Sequence, residues 1–220
     1  MKRLLAALLV LSPAAAPAAM AESPTLIELF ASQNCRACPK AHATLKSVAE
    51  EHDDVLILTW SVDYWDYLGG KDPMAMAESK ERQRAYVDRF HLRGPYTPQT
   101  VYNGMEQCPG NKPSRVEKEI STARKEAPRG VSLVRKADGV ELTGKANGLT
   151  DIWYVDYLDG EDNTTNMVNP VTQVTALGPW LGGRTLVTLP VCHSHCAVIV
   201  QEAGFGPVLA TLALDPSPEH

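Results

Sequence analysis

The chain has 220 residues, of which 44% are hydrophobic and 21% are charged, and this composition excludes collagen-like, coiled-coil and disordered proteins. Its 21 basic and 26 acidic residues give a formal charge of −5. That charge argues against a protein that binds nucleic acid through overall positive charge, so we expect no nucleic-acid partner. Five cysteines are few for a disulfide scaffold but sufficient for a redox or metal site.

The N-terminal segment has the pattern of a signal peptide. Two basic residues open the chain, Leu4–Leu11 form a short apolar run, and Ala19 and Ala21 supply the small residues of a cleavage site. The apolar run is shorter than the roughly 20 residues that a membrane-spanning helix needs. We therefore predict a signal peptide at 1–21 and an exported protein, periplasmic or secreted, without stable membrane insertion after cleavage.

The next forty residues predict a β-α-β unit. Thr25–Phe30 and Val55–Ser61 are short apolar runs typical of buried strands. Between them, from Lys40, apolar residues recur with the period of a helix. Because a helical crossover joins the two strands, we expect them to be parallel.

A Cys-x-x-Cys motif lies between the first strand and the helix. Cys35 is predicted at the helix N-terminus, where unpaired N–H groups, the helix dipole and neighbouring Arg36 favour its thiolate. Cys38 lies one turn further on and can resolve a mixed disulfide. We therefore predict a redox-active Cys35–Cys38 pair with Cys35 as nucleophile. A structural disulfide or half of a zinc site remains open, although no second Cys-x-x-Cys completes four ligands.

The segment that follows the second strand should reach the dithiol. In a parallel sheet, the carboxyl ends of the strands share one edge. Asp63 and Asp66 are therefore candidates for a proton relay to Cys38, and Trp65 is a candidate lid over the site. The alternative is an aromatic loop packed for stability, with solvated acids.

Two further helices are predicted from terminal signals. Asp72-Pro73 is typical of an N-cap and first-turn proline, and predicts a polar helix that extends to about Leu92. Ser114 and Glu117 have the spacing of a capping box and predict a helix that ends before Gly130.

Between these helices, Asn103-Gly104 predicts a β-hairpin with a two-residue turn. That register sets Gln99 opposite Cys108, on the dithiol side of the sheet. We expect Cys108 to be a buried free thiol, with an accessory redox role as the alternative. Pro98 opens the strand, where either isomer is tolerated. If it is cis, it lies against the dithiol, and a substrate backbone can pair with Thr97.

The residues after Gly130 predict a β-rich domain. Short apolar or alternating runs are separated by glycine-rich turns, and no helix period is present. We therefore predict an α/β domain at 22–129 and a sandwich- or barrel-like domain at 130–220. Its predicted strands are Val131–Arg135, Val140–Thr143, Ile152–Tyr157, Thr185–Val191, Ala197–Gln201 and Val208–Leu214.

A second cysteine pair lies between two of these strands. Three residues separate Cys192 from Cys196, which suits a hairpin loop and a disulfide across it. Together with His193 and His195, the cysteines also form a donor set suited to zinc or copper. We favour the disulfide because an exported protein meets an oxidising environment.

Several motifs resemble a bacterial secreted family catalogued as domain of unknown function 1223. The residues that carry the resemblance are Glu28-Leu29-Phe30, Ser32-Gln33, Cys35, Cys38-Pro39, Val62 to Gly69, Lys71-Asp72-Pro73, Gln83 to Tyr86, Tyr96 to Gln99, Asn103-Gly104 and Gly206 to Leu209. The resemblance implies a thioredoxin-like fold with a β-rich C-terminal part, and a cis Pro98 beside the dithiol. This chain differs at Asn34, Ser61 and Gly70, where glycine, histidine and tryptophan are common in the family.

The sequence as a whole predicts an exported thioredoxin-like thiol–disulfide oxidoreductase. Cys35 attacks, Cys38 resolves, and Thr97 and Pro98 position a partner that carries protein thiols or disulfides. No cofactor is expected. The alternatives are a metal-binding protein that uses the Cys192–Cys196 cluster and a non-catalytic adaptor with a structural Cys35–Cys38 bridge.

Overall fold

The computed structural model describes residues 23–214, so the predicted signal peptide lies outside the described residues. The elements of the N-terminal part are β1 Thr25–Ala31, α1 Cys38–Glu51, β2 Val55–Ser61, α2 Asp66–Gly69, α3 Ala77–Arg89, β3 Gln99–Tyr102, β4 Glu106–Cys108 and α4 Pro113–Glu126. Its four strands form the first sheet in the order β2-β1-β3-β4, with β1 and β2 parallel as the crossover predicts. Strand β3 runs antiparallel to β1.

The C-terminal half consists mainly of strands, in two further sheets. The elements are β5 Val131–Lys136, β6 Gly139–Gly144, β7 Thr150–Tyr157, a 3₁₀ turn at Gly160–Asp162, β8 Val171–Trp180, β9 Thr185–Val187, β10 His195–Glu202 and β11 Val208–Leu214. One sheet has the order β11-β10-β7-β8 and the other β5-β6-β9. Apolar residues from both sheets form one buried cluster, so the two sheets pack as a sandwich.

Strand β1 separates two buried clusters because successive side chains point to opposite faces. Ile27 and Leu29 pack with residues of α1 and α4 on one face. Leu26 and Phe30 pack on the other face, with α3 and with strands β7 and β10 of the C-terminal half. The two halves of the chain therefore share a hydrophobic core. No helix within residues 23–214 is long and apolar enough to cross a membrane.

A buried ion pair lies within this shared core. The Arg82 guanidinium of α3 donates to the Glu28 carboxylate of β1, and both side chains are almost fully buried. Tyr86 donates to the same carboxylate at 2.5 Å. Arg82 Nη2 donates to Gln201 Oε1 of β10 at 2.9 Å. One network thus joins the first sheet, helix α3 and the C-terminal sheet.

Two predicted helix starts are wrong. The helix predicted from Asp72 begins at Ala77, because the Asp72 carboxylate accepts backbone N–H groups from a neighbouring loop and from its own turn. Helix α4 begins one residue before Ser114, and no side chain caps it. Ser114 therefore lies inside the first turn, and Glu117 binds a histidine instead of a capping amide.

The predicted two-residue register of the β3-β4 hairpin is also wrong. Cys108 pairs with Thr100, one residue away from the expected partner. The Asn103 N–H donates to Leu26 O at 2.9 Å and its carbonyl oxygen accepts from Val208 N at 2.8 Å, while its positive φ of 45° begins the turn. Tyr102 pairs with Glu106, so the connection has three residues. A one-residue shift moves a side chain to the opposite face of a sheet. Cys108 lies on the same face as Thr100 and Leu29, which is the dithiol face, whereas Gln99 lies on the other face with Phe30.

Strand β8 was not predicted from the sequence. Its ten residues include Gly178 and Pro179, and it lies at an edge of its sheet, where much of it is only partly buried. Two bulges in its pairing with β7 interrupt the two-residue alternation by which a strand is recognised.

We predict that Arg82→Met lowers the free energy of unfolding by about 3–5 kcal/mol, because it leaves the Glu28 charge buried without its cation. The double variant Glu28→Gln/Arg82→Met should be less destabilised than the single variant, since it buries no charge. Arg84→Met, at an exposed position of the same helix, is the matched control. Urea denaturation measures all three variants, and equal stability of the Arg82 and Arg84 variants would contradict the prediction.

Candidate functional site

The dithiol lies where β1 passes into α1. The Cys35 and Cys38 sulfurs lie within bonding distance, with Cα atoms 5.4 Å apart. Cys38 is the first residue of α1, so Cys35 lies one turn before the helix rather than within it. Cys35 is 5% exposed and Cys38 is 1% exposed, and both join the buried cluster between the first sheet and its helices. Cys35 is therefore the more exposed residue of the pair.

Asp72 orders the loop that leads to Cys35. Its side chain is fully buried, and Oδ2 accepts the Gln33 backbone N–H at 2.8 Å. Beside it, Asn34 Nδ2 donates to Gly70 O at 2.7 Å. Both residues are among the positions where this chain differs from the family pattern described above. The sequence predicted Asp72 to be a helix N-cap. Its local sequence pattern gives no sign that its carboxylate accepts a hydrogen bond from a distant loop.

Trp65 connects the loop after β2 with the residues before β3. Its indole Nε1 donates to Thr97 Oγ1 at 2.7 Å, and its ring packs against the cluster that contains both sulfurs. The Thr97–Pro98 peptide bond is cis, as the resemblance implied. Because Gln99 pairs with Phe30 near the end of β1, Pro98 lies at the dithiol end of the sheet.

The two candidate relay carboxylates bind other groups. Asp63 forms an ion pair with Lys80 at 2.8 Å, on the surface. Asp66 Oδ1 accepts the Asp72 backbone N–H at 3.0 Å, which links α2 to the loop that supports Cys35. In this geometry Asp66 stabilises the loop, and a proton relay from either carboxylate to Cys38 stays a prediction.

His42 is a buried residue to which the sequence analysis assigned no role. It lies four residues after Cys38 on α1, a spacing that places both on one face of the helix. Its Nδ1 accepts the Val168 backbone N–H at 3.2 Å, so neutral His42 carries its proton on Nε2. Burial, with a smaller contribution from Lys46, lowers the pKa of His42 from 6.5 to about 4. The helix that carries Cys38 is thereby tied to the loop before β8.

Cys108 is a buried free thiol, as expected. It joins the same apolar cluster as the two dithiol cysteines. Its sulfur lies 3.4 Å from both Thr100 Oγ1 and the Tyr102 hydroxyl oxygen.

The second cysteine pair is also within bonding distance. Cys192 and Cys196 have Cα atoms 5.9 Å apart. Among residues 23–214, the cysteine-containing group able to hold a metal ion is Cys192, Cys196 and Asp156, without either imidazole of the predicted four-residue set. The His195 ring lies instead against Tyr157, with centroids 5.8 Å apart. Asp156 was missed because it lies forty residues earlier in the chain.

The described residues thus form a mixed α/β protein with several sheets, two sulfur pairs and a strand-rich C-terminal half. The chain belongs to the family described as protein of unknown function (DUF1223), which it matches over residues 26–201. It is similar to a protein from Agrobacterium tumefaciens whose X-ray crystal structure is known, with 28% sequence identity and a TM-score of 0.74. That similarity covers 92% of this chain and 98% of the other. A comparison with curated proteins finds no match.

The lowered pKa of His42 predicts a specific loss of stability in acid. The unfolded chain takes up the His42 proton near pH 6.5, whereas the folded protein takes it up only near pH 4. This contribution to stability is therefore greatest above pH 6.5 and declines as the pH falls towards 4, by up to about 3 kcal/mol. Asn supplies an acceptor near the Nδ1 position without titrating, so His42→Asn should reduce the decline.

Urea denaturation at pH 7 and pH 4.5 measures this difference. His91→Asn, which removes an exposed imidazole, is the control and should retain the wild-type decline. The same decline in wild type and His42→Asn would show that His42 does not remain neutral in the folded state.

Proposed function

We propose that this protein is an exported thiol–disulfide oxidoreductase whose N-terminal part is thioredoxin-like. The observation that carries the proposal is the bonded Cys35–Cys38 pair at the junction of β1 and α1. A cis proline at the same end of the sheet supports it. Export to the periplasm or the medium is supported by the signal-peptide pattern of residues 1–21.

The reaction is a two-step exchange between this dithiol and a partner disulfide. The Cys35 thiolate attacks one sulfur of the partner, a mixed disulfide forms, and the other partner sulfur leaves as a thiolate. Cys38 then loses its proton and attacks Cys35, which releases the second partner thiolate and closes the Cys35–Cys38 bond. Two electrons pass to the partner, and the reverse sequence oxidises it.

Protein substrates fit the surface beside the dithiol better than small thiols. Tyr67 and Leu68 are 76% and 56% exposed on the short helix α2. Hydrogen bonds connect helix α2 to the dithiol loop: Asp66 accepts the Asp72 backbone N–H, and Asp72 accepts the Gln33 backbone N–H. Exposed apolar side chains at this position give an unfolded or flexible partner chain a surface to contact while its sulfur reaches Cys35.

The proposal is tested with a disulfide-bonded protein of known sequence, such as insulin. Cys38→Ser cannot complete the second step, so we expect a thiol-sensitive adduct through Cys35 on non-reducing electrophoresis. Cys35→Ser should form no adduct, and Cys38→Ser/Cys108→Ser should still form it. A wild-type reduction potential above about −300 mV is expected. No adduct, together with a lower potential, would favour the structural bridge of a non-catalytic adaptor.

We also predict that iodoacetamide labels the reduced protein at Cys35 before Cys38. Cys35 is the more exposed residue of the pair, and the helix N-terminus together with Arg36 stabilises its thiolate. Arg36→Glu should slow the labelling of Cys35 by about two- to fivefold, the effect of a surface charge near a helix terminus. Arg129→Glu, the same change at another exposed position, should leave the rate unchanged. Mass spectrometry follows each cysteine, and equal slow labelling of both would contradict an activated Cys35.

A further inference from the structure

Two polar groups of β7 face the inner sulfur of the second cysteine pair. The Tyr154 hydroxyl oxygen lies 2.9 Å from Cys196 Sγ, and Asp156 Oδ1 lies 3.2 Å from the same sulfur. The hydroxyl is also 3.4 Å from Asp156 Oδ1, so the three groups form a closed triangle. Tyr154 and Cys196 are fully buried, and Asp156 is 7% exposed. Strand pairing fixes this geometry, since Cys196 lies directly opposite Asp156.

The contact between a bridged sulfur and a carboxylate needs a proton. A disulfide sulfur has no hydrogen to donate, and an ionised carboxylate has none either. The contact is therefore attractive only when Asp156 is protonated or when the bridge is open. Burial raises the pKa of Asp156, against smaller opposing effects of the Tyr154 hydrogen bond and of His193. This shift favours the protonated carboxyl that the contact with Cys196 requires.

The outer sulfur of the pair adjoins a cavity. Cys192 is half-buried and lines a space of about 380 Å³, together with Tyr154, Arg135 and Asp138. This volume falls at the lower end of the range for small-molecule sites. Arg135 and Asp138 bring one charge of each sign to the cavity, which suits a small thiol that itself carries both charges.

We propose that Cys192–Cys196 is a second, reducible disulfide, in which a small zwitterionic thiol attacks Cys192 and Asp156 protonates the departing Cys196. This site is separate from the proposed Cys35–Cys38 activity and does not depend on it. Tyr154 donates a hydrogen bond to the Cys196 thiolate as it forms. Cys192 is the attacked sulfur because it lines the cavity, whereas Cys196 is enclosed.

The reduction uses two equivalents of the thiol. The first thiolate forms a bond to Cys192 Sγ, the Cys192–Cys196 bond breaks, and Cys196 Sγ takes both bonding electrons and the proton of Asp156. A second thiolate attacks the sulfur of the first in the mixed disulfide, which releases the small disulfide and the Cys192 thiolate. Solvent supplies a proton to Cys192 and restores that of Asp156.

The test measures reduction of the folded, full chain by glutathione near neutral pH, with each cysteine followed by alkylation and mass spectrometry. We expect Asp156→Asn to slow the reduction of Cys192–Cys196 by at least about tenfold, the lower range for loss of a general acid. Asp151→Asn, on the same strand, should leave the rate unchanged. Reduction of the Cys35–Cys38 pair is followed in the same samples. An unchanged rate for that pair shows that the variant is folded, and the rate itself tests the proposed function separately.

Single-cysteine variants test which sulfur is attacked and do not depend on the Asp156 variant. Incubation with oxidised glutathione should attach glutathione to Cys192 in Cys196→Ser, and leave Cys196 largely unmodified in Cys192→Ser. Three results would overturn the proposal: reduction only after denaturation, an unchanged rate in Asp156→Asn, or preferential modification of Cys196. Stoichiometric zinc on the reduced protein that is lost in Asp156→Asn would replace the disulfide site with a metal site.

Discussion

A buried arginine between aromatic rings determines how the parts of this protein fit together. The Arg82 guanidinium lies 4.9 Å from the Trp60 ring centroid and 5.0 Å from that of Phe205, one ring from each half of the chain. Its charge is neutralised by Glu28 and its remaining donors reach Gln201. Moving any of these elements would leave a charge or a polar group buried without its partner, which is far more costly than losing an apolar contact. The first sheet and the C-terminal sheet therefore keep one relative arrangement.

This arrangement also fixes which face of the first sheet carries the dithiol. Glu28 directs its carboxylate towards Arg82, so its neighbours Ile27 and Leu29 must point to the opposite face. Helix α1 covers that face and begins at Cys38, after the loop of residues 32–37 that follows β1. The ion pair and the sulfur pair thus occupy opposite faces of one strand and its extension. Strands β7 and β10 of the C-terminal half pack against the face opposite the dithiol, while the loop before β8 contacts the dithiol face through Val168.

The two sulfur pairs have different surroundings and therefore suit different chemistry. Cys35 and Cys38 lie in an apolar cluster, and the main polar support of their loop is the buried Asp72. Under the proposed function, the helix terminus is what activates a thiolate in that setting. Cys196 instead contacts a hydroxyl and a carboxyl group, with Asp156 directly opposite it. In the proposed reduction, Asp156 is the proton donor at the leaving sulfur, so this bridge opens without help from the first pair.

Sequence alone determined the features that depend on neighbouring residues. The apolar run Val55–Ser61 has the bounds of the observed strand, and a three-residue separation sufficed to predict that Cys35 and Cys38 pair at the start of a helix. Only the tertiary structure decided the hairpin register, because Asn103 is held by backbone groups of two distant strands. It alone brought Asp156 to Cys196, since strand pairing joins residues forty positions apart. Local periodicity reports which face of an element is buried, whereas the identity of the group across from it follows from long-range pairing and packing.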